Sequence, residues 1–282
     1  MAEKYVIGID LGATNIRGAK VDRQAIGSIA SQRIHNGTEE EVLQDVYELT
    51  DRLIGKDVEA IGIGVPSVVD VEEGIVYDVV YIPSWKEVHL KKLMEARYGI
   101  PVFVNNDANC FALGEHYFGK GKNVSSMVGL TLGTGVGGGV IVNHKLYAGR
   151  NCGAGEFGCV EYLENTYEYY CSGSFFSNVY GLDGQQVYER AMNGETEALR
   201  LYEEYGRHLG NAIKMVIYTY DPPLVILGGS VRVAFPFFEK AMWERIRTCL
   251  FTKSSERLQV QVSDLGNSGI LGAAALFYDS SQ

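Results

Sequence analysis

A strand, a tight glycine turn and a second strand occur twice in this chain, 121 residues apart, and that repetition narrows the possible folds more than any other feature. The first copy runs through the apolar segment Tyr5-Val6-Ile7-Gly8-Ile9 to Asp10, turns at Leu11-Gly12-Ala13-Thr14, and resumes at Asn15-Ile16-Arg17-Gly18-Ala19-Lys20-Val21. The second is Val128-Gly129-Leu130-Thr131-Leu132-Gly133-Thr134-Gly135 followed by Gly137-Gly138-Gly139-Val140-Ile141-Val142, so that Gly8 matches Gly129, Leu11 matches Leu132 and Gly12 matches Gly133. A period close to half of 282 residues is too long for a stacked solenoid and points to two related domains. The division is expected in the polar stretch Gly119-Lys120-Gly121-Lys122-Asn123, giving a smaller domain over residues 1–119 and a larger one over 120–267. A C-terminal helix near 268–282 is expected to pack back on the first domain.

Strands alternate with helices between and after the hairpins. Thr38-Glu39-Glu40-Glu41 has the pattern of a capping box, and Val42, Val46, Leu49 and Leu53 follow at helical spacing. Val58 to Val65 reads as a buried strand ending at Pro66, Glu87 to Arg97 as a short helix closed by Gly99, and Val102 to Asn105 as a strand entering a helix from Ala108 to Tyr117. Glu195 to Tyr220 is a long amphipathic helix stopped by Pro222-Pro223. It is followed by a strand from Leu224 to Leu227, the pair Gly228-Gly229, and an alanine-rich helix from Ile270 to Tyr278. The class is α/β, with mixed sheets because the glycine-turn hairpins are antiparallel.

Charge limits the partners. Lys and Arg number 25 against 35 Asp and Glu, a formal charge of −10, so no global basic field draws the chain to nucleic acid or to an anionic membrane. Any phosphate must be held locally. The start Met1-Ala2-Glu3-Lys4 has no leader pattern, and Met127 to Val142, broken by six glycines, is no membrane span; a cytoplasmic protein is expected. Five cysteines at irregular spacing suit free thiols in a reducing compartment.

Glycine turns at strand ends let backbone amides approach phosphate oxygens, and Thr14, Asn15 and Thr134 add side-chain donors. One such turn alone can be no more than a hairpin; two related copies favour phosphate. Neither is a Walker loop or the start of a Rossmann unit, which removes support for hydride chemistry. Asp10 at a strand end suits magnesium beside phosphate or the acceptance of turn amides. Asp107, in Asn105-Asn106-Asp107-Ala108-Asn109, suits a helix N-cap or a catalytic carboxylate, and the residues alone leave both open.

Taken together, the motifs resemble those of the ROK family of sugar kinases within the actin-like ATPase superfamily. Gly8-Ile9-Asp10-Leu11-Gly12-Ala13-Thr14-Asn15-Ile16-Arg17 and Leu132-Gly133-Thr134-Gly135-Val136-Gly137-Gly138-Gly139 resemble its two phosphate motifs. Gly62-Ile63-Gly64-Val65-Pro66-Ser67-Val68-Val69-Asp70 is similar to its G-x-P-G-x-V-D segment, and Asn106-Asp107-Ala108-Asn109 to its catalytic motif. Gly155-Glu156-Phe157-Gly158 resembles the sugar-binding G-E-x-G, Glu168 with Ser172-Gly173 the E-x-x-x-S-G segment, and Asp221 through Gly228-Gly229 the adenosine motif.

The resemblance implies a two-domain actin-like (ribonuclease H-like) fold with an interdomain cleft, in which the γ-phosphate of ATP passes to the 6-hydroxyl of a hexose. Asp107 would take the hydroxyl proton, while Asn106, Glu156, Glu168 and Ser67 would contact the sugar. Asp10, Gly12, Thr14, Asn15, Gly133, Thr134, Gly135, Gly228 and Gly229 would hold ATP with Mg2+. Glucose is the first expectation and N-acetylated or amino hexoses the next, with a homodimer by analogy. The family's rivals are a non-catalytic sugar binder and a sugar-responsive repressor; the repressors carry an N-terminal helix-turn-helix, whereas here the phosphate motif begins at residue 6.

The sequence also departs from the family. Cys159 stands where the family has His after G-E-x-G, and Val160 to Tyr167 holds no C-x-C-G-x-x-G-C loop. No structural zinc is therefore expected, with Cys152, Cys159 and Cys171 read as buried small side chains. Ser67 replaces a glycine, and Tyr81 stands where a sugar-contacting Asn is usual. Tyr162, Tyr167, Tyr169 and Tyr170 read as core or interface before they read as a sugar-stacking wall.

Overall fold

The computed structural model describes residues 4–35 and 37–281. The expectation about a leader, drawn in part from Met1-Ala2-Glu3, lies outside the described residues. In chain order the elements are β1 (Tyr5–Leu11), β2 (Asn15–Val21), β3 (Ala30–Arg33), α1 (Glu39–Asp51), β4 (Val58–Val65), β5 (Val68–Asp70), β6 (Ile75–Tyr77), β7 (Glu87–Val88), α2 (Leu90–Tyr98), β8 (Val102–Asn106) and α3 (Asp107–Tyr117). They continue with β9 (Met127–Leu132), β10 (Val136–Val142), β11 (Lys145–Leu146), β12 (Glu161–Tyr162), β13 (Asn165–Thr166), α4 (Tyr167–Cys171), α5 (Phe175–Tyr180), α6 (Gly184–Met192) and α7 (Thr196–Tyr220). The last are β14 (Leu224–Gly228), α8 (Phe235–Ile246), α9 (Thr252–Arg257), β15 (Gln259–Val262) and α10 (Ser268–Ser280).

Contacts divide the chain into two units. The first takes the described residues up to Asn123, Gly139–Ala154 and those from Asp264 onward; the second takes Val124–Gly138 and Gly155–Ser263. The first unit is built on a five-stranded sheet of order β3-β2-β1-β4-β8, antiparallel from β3 to β1 and parallel from β1 to β8. The other five-stranded sheet has the order β11-β10-β9-β14-β15, with β9, β14 and β15 parallel. Both sheets are mixed, as the repeated hairpin implies.

Sequence periodicity accounts for the longer elements. The Thr38 hydroxyl accepts the amide of Glu41 at 3.3 Å while the Glu41 carboxylate accepts the amide of Thr38 at 2.8 Å, so α1 begins with two of its orphan donors satisfied. Its apolar stripe, Val42, Val46 and Leu49, is buried against the sheet core that includes Ile7, Ile9, Ile61 and Ile63. Helix α7 buries Leu201, Tyr205, Leu209, Ile213 and Val216 along one face and ends at Asp221, whose φ of 44° is the left-handed cap that precedes the two prolines. Among the described residues no helix is long and apolar enough to cross a membrane.

Glycine sets how close α10 lies to its neighbours in the first unit. A Cβ at Gly8 would overlap the carbonyl of Ile270, one at Gly62 the carbonyl of Ala273, and one at Gly272 the carbonyl of Cys110. The helix therefore rests backbone against backbone on β1, β4 and α3, a separation that any side chain would forbid.

One element differs from the sequence expectation. Glu87 to Arg97 was expected to be a single helix, but Glu87 and Val88 form β7 and pair with Tyr77 and Val76, so the helix starts at Leu90. Val88 is 1% exposed, and its burial on the β5-β6-β7 sheet outweighs local helix propensity. Gly99 closes α2 in the left-handed conformation, φ 69°, as expected.

Candidate functional site

Strand β8 delivers the first unit's polar cluster. Val102 and Val104 face the core, and the strand runs directly into α3. The cap of that helix is Asn106: its side-chain oxygen accepts the amides of Ala108 at 2.8 Å and Asn109 at 3.4 Å. Asp107 is the first helical residue, exposed, with Oδ1 accepting its neighbour Ala108's amide at 2.9 Å. Of the two uses the residues left open, capping thus belongs chiefly to Asn106. The Asn106 amide nitrogen donates to the Ser67 carbonyl at 3.3 Å, so Asn106 is engaged at both ends. The Ser67 hydroxyl in turn donates to the Tyr77 carbonyl.

Beneath them lies Asn105, 2% exposed. Its side-chain oxygen accepts the Asn106 amide at 2.9 Å, Asn109 Nδ2 at 2.9 Å and the Cys152 thiol at 3.1 Å. Sequence reading did not single out Asn105; its only signal was an amide side chain at the end of an otherwise apolar buried strand.

Asp10, partly buried, stands one residue before the end of β1 at the first glycine turn, where the Gly12 amide donates to the Asn15 carbonyl at 3.0 Å, and Thr14 and Asn15 are exposed. Its carboxylate accepts from Arg17 at 2.6 Å and not from turn amides among the contacts described. It also lies against the start of α10, where a Cβ on Gly269 would come within 2.9 Å of the carboxyl carbon. Among the described residues no three His, Cys, Asp or Glu side chains are grouped to hold a metal. A lone carboxylate at a glycine turn fits the way Mg2+ is usually held, by one or two carboxylates with the remaining ligands from phosphate and water.

The second glycine turn belongs to the second unit and walls a cavity of about 420 Å3, within the usual range for a small-molecule site. Gly133 and Thr134 form one side; Ser174, Asp183, Gln185 and Tyr188 are among the rest. A Cβ on Gly133 would meet no protein atom within 4 Å, so its bare backbone borders open space into which a ligand can come close. Gly229, φ 78°, follows β14 at a point where a side chain would overlap Leu132 backbone, and the next residues, Ser230 and Val231, line the cavity. Gly228 is the last residue of β14 and pairs with Thr131. The α5–α6 wall escaped sequence reading because its polar residues are spread over two short helices and the turn joining them.

Glu156 and Glu168 are also in the second unit. Glu156 precedes a short 3-10 turn, Phe157–Cys159, and Glu168 lies on α4. Glu156 is solvent-accessible at its surface, yet the protein crowded around its carboxyl raises its pKa by desolvation, the Cys159 thiol lowers it, and the Glu168 charge raises it further. The thiol donates to Glu156 Oε2 at 3.6 Å. Glu168 Oε2 accepts the Val136 amide at 2.9 Å, at the close of the glycine turn.

A profile of the ROK family matches residues 6–280. The chain belongs to the ROK family. It is 30% identical to a glucokinase of Thermotoga maritima, the alignment covering 98% of both chains. It is 26% identical to the xylose repressor of Bacillus subtilis over 98% of this chain and 77% of the repressor. A ROK family glucokinase from Streptomyces griseus, solved in complex with glucose and AMPPNP, superposes with a TM-score of 0.79 at 29% identity, covering 96% of this chain and 98% of that one. The fold is thus the expected α/β actin-like ATPase fold with mixed sheets.

Of the three cysteines, Cys152 belongs to the first unit, beside Asn105, and Cys159 and Cys171 belong to the second. Cys171 is buried, and desolvation raises its pKa. Cys159, expected to be buried, is exposed, because the 3-10 turn ends there and directs its thiol at Glu156. The tyrosines pack on one another: Tyr162 stacks on Tyr167 at 4.3 Å, and its hydroxyl accepts Asn211 Nδ2 at 2.6 Å. Their faces serve packing within the second unit. Tyr81, 53% exposed, is on the surface of the first.

Proposed function

We propose that this ROK protein transfers the γ-phosphoryl group of ATP to the 6-hydroxyl of a hexose, with glucose the first candidate and N-acetylated or amino hexoses the next. The observation that carries the reading is the second glycine turn, which walls a ligand-sized cavity on one side and is held by the sugar-motif carboxylate Glu168. The glucokinase likenesses support the same chemistry. In the reaction the sugar O6–H bond breaks, O6 bonds to the γ-phosphorus, and the bond from that phosphorus to the bridging oxygen of ADP breaks. Asp107 receives the proton, general-base help typically worth about 10²–10⁴-fold. Asn105 and Asn106 hold the strand-to-helix corner that presents Asp107.

Glu156 and Glu168 accept hydrogen bonds from sugar hydroxyls, and Asn106, with its oxygen on helix amides, has a second amide hydrogen to offer. The backbone of Gly133, Thr134 and Gly135 approaches phosphate in the second unit; Gly12, Thr14 and Asn15 offer donors in the first. Gly228 and Gly229 lead into the cavity wall that takes the adenosine. Asp10 would hold Mg2+, which when bound with ATP neutralises phosphate charge. A cytoplasmic location and a homodimer belong to this reading by family resemblance.

The repressor likeness and Cys159 at the family His position favour a second reading, a non-catalytic sugar binder. An assay of hexose 6-phosphate formation over a panel of hexoses, with ATP or polyphosphate as donor, separates the two. Turnover with at least one hexose and a 6-phosphate product supports the kinase. Sugar binding without turnover on any of them supports the binder.

A further inference from the structure

Segment 168–174 grips the second glycine turn at three points. The Gly173 amide donates to the Gly133 carbonyl at 2.7 Å, the Ser174 hydroxyl to the Thr134 carbonyl at 3.0 Å, and the Val136 amide to Glu168 Oε2 at 2.9 Å. The third contact is the one made by a side chain that the proposed reading also assigns to sugar. A Cβ on Gly135 would overlap Glu168 Oε2, so a side chain there would push the carboxylate aside. Turn and carboxylate are therefore in direct contact. All these residues, and the cavity they border, lie in the second unit.

We infer that Glu168 is a positioning residue for the phosphate-binding turn, through which a sugar on its carboxylate and a nucleotide in the cavity strengthen each other's binding. The inference deepens the proposed function and rests on it for the sugar. A carboxylate has two acceptor oxygens, so Oε2 can keep the Val136 amide while Oε1 takes a sugar hydroxyl. A hydroxyl on Oε1 restricts rotation of the group, which holds Oε2 on the amide and leaves less of the turn to be ordered when phosphate arrives. The effect is reciprocal, since coupling between two ligands is one free energy read from either side.

Glutamine provides the discriminating variant, because with its one oxygen kept on the Val136 amide the group turned to the sugar is an NH2, which donates where the carboxylate accepted. Calorimetric titration with AMPPNP, with and without saturating glucose, mannose or N-acetylglucosamine in turn, reads the coupling directly. In the wild-type protein at least one of these sugars should tighten AMPPNP by about fivefold or more, the lower end of typical couplings. Glu168→Gln should bind AMPPNP alone within about threefold of wild type but lose the coupling at saturating sugar, while Glu168→Ala should weaken AMPPNP alone by about tenfold. Coupling retained in Glu168→Gln, or absent from a wild-type protein that binds both ligands, overturns the inference and leaves the kinase reading standing. A wild-type protein that binds no AMPPNP overturns both. A shift in thermal midpoint without loss of coupling would assign Glu168 to structure alone.

Discussion

The thiol of Cys152 donates to the side-chain oxygen of Asn105 at 3.1 Å, and Asn105 in turn anchors the strand end that presents Asp107. Cys152 has a φ of 58°, so a residue in an unfavoured backbone conformation supplies the contact. Asn105→Ala would leave the Asn106 amide, Asn109 Nδ2 and this thiol without their acceptor in a buried place. At about 1–3 kcal/mol for each of the two N–H donors left unpaired, we expect a stability loss of about 2–6 kcal/mol. A urea midpoint that falls with the denaturant slope unchanged would agree; an unmoved midpoint would show that the neighbours re-pair.

Asp107→Asn preserves shape and the contact to Ala108 but cannot take a proton. Turnover should drop at least about 100-fold, with sugar affinity inside about one order of magnitude. A variant retaining more than about a tenth of wild-type kcat, less than about 1.4 kcal/mol of barrier, would remove Asp107 from the role of base.

The raised pKa of Glu156 gives a signed pH dependence. Protonation removes an acceptor from the sugar site, so sugar KM should climb as pH falls through a value raised from the ordinary one for Glu. Stability runs the other way: a carboxyl raised in the folded state contributes stability at low pH that is lost as pH rises through the folded value, so acid weakening of sugar binding is not unfolding at this residue. Cys159→Ala removes the thiol contact that lowers this pKa and should move the acid limb of the KM profile to higher pH. In Glu156→Gln that limb should vanish. Cys159→His should reorder hexoses that differ at C2 more than it alters turnover on any one of them.

Two glycines that each follow a leucine, Gly272 on α10 and Gly133 in the second glycine turn, should respond differently to alanine. Gly272→Ala drives a methyl into the Cys110 carbonyl, and overpacking of this kind costs about 1–3 kcal/mol or more, visible as a lower thermal midpoint. Gly133→Ala meets no protein atom and should leave the midpoint within about one or two degrees of wild type. Its methyl instead occupies the cavity edge and should weaken AMPPNP binding by about tenfold. Equal nucleotide affinity in Gly133→Ala would place the phosphate elsewhere.

By itself the sequence determined the α/β class, the two glycine hairpins and the long helices, because these depend on short-range periodicity, caps and breakers. The Thr38–Glu41 box, the strand from Val58 to Val65 and the prolines after α7 are each legible within a few residues. The order of the motifs likewise carried the family. Tertiary structure alone decided what each polar group near the site is paired with. Asn106 and Asp107 are adjacent residues with similar capping preference, and only the angle at which β8 enters α3 gives the cap to one of them. Cys159 is exposed and Cys171 buried although the residue type is the same, since burial depends on which elements pack around a position. Glu168 and Val136 are 32 residues apart, and no local pattern announces a hydrogen bond over that distance. Such contacts form when long-range packing brings segments together, and the loop-closure entropy this costs is offset by the whole core rather than by the residues that meet.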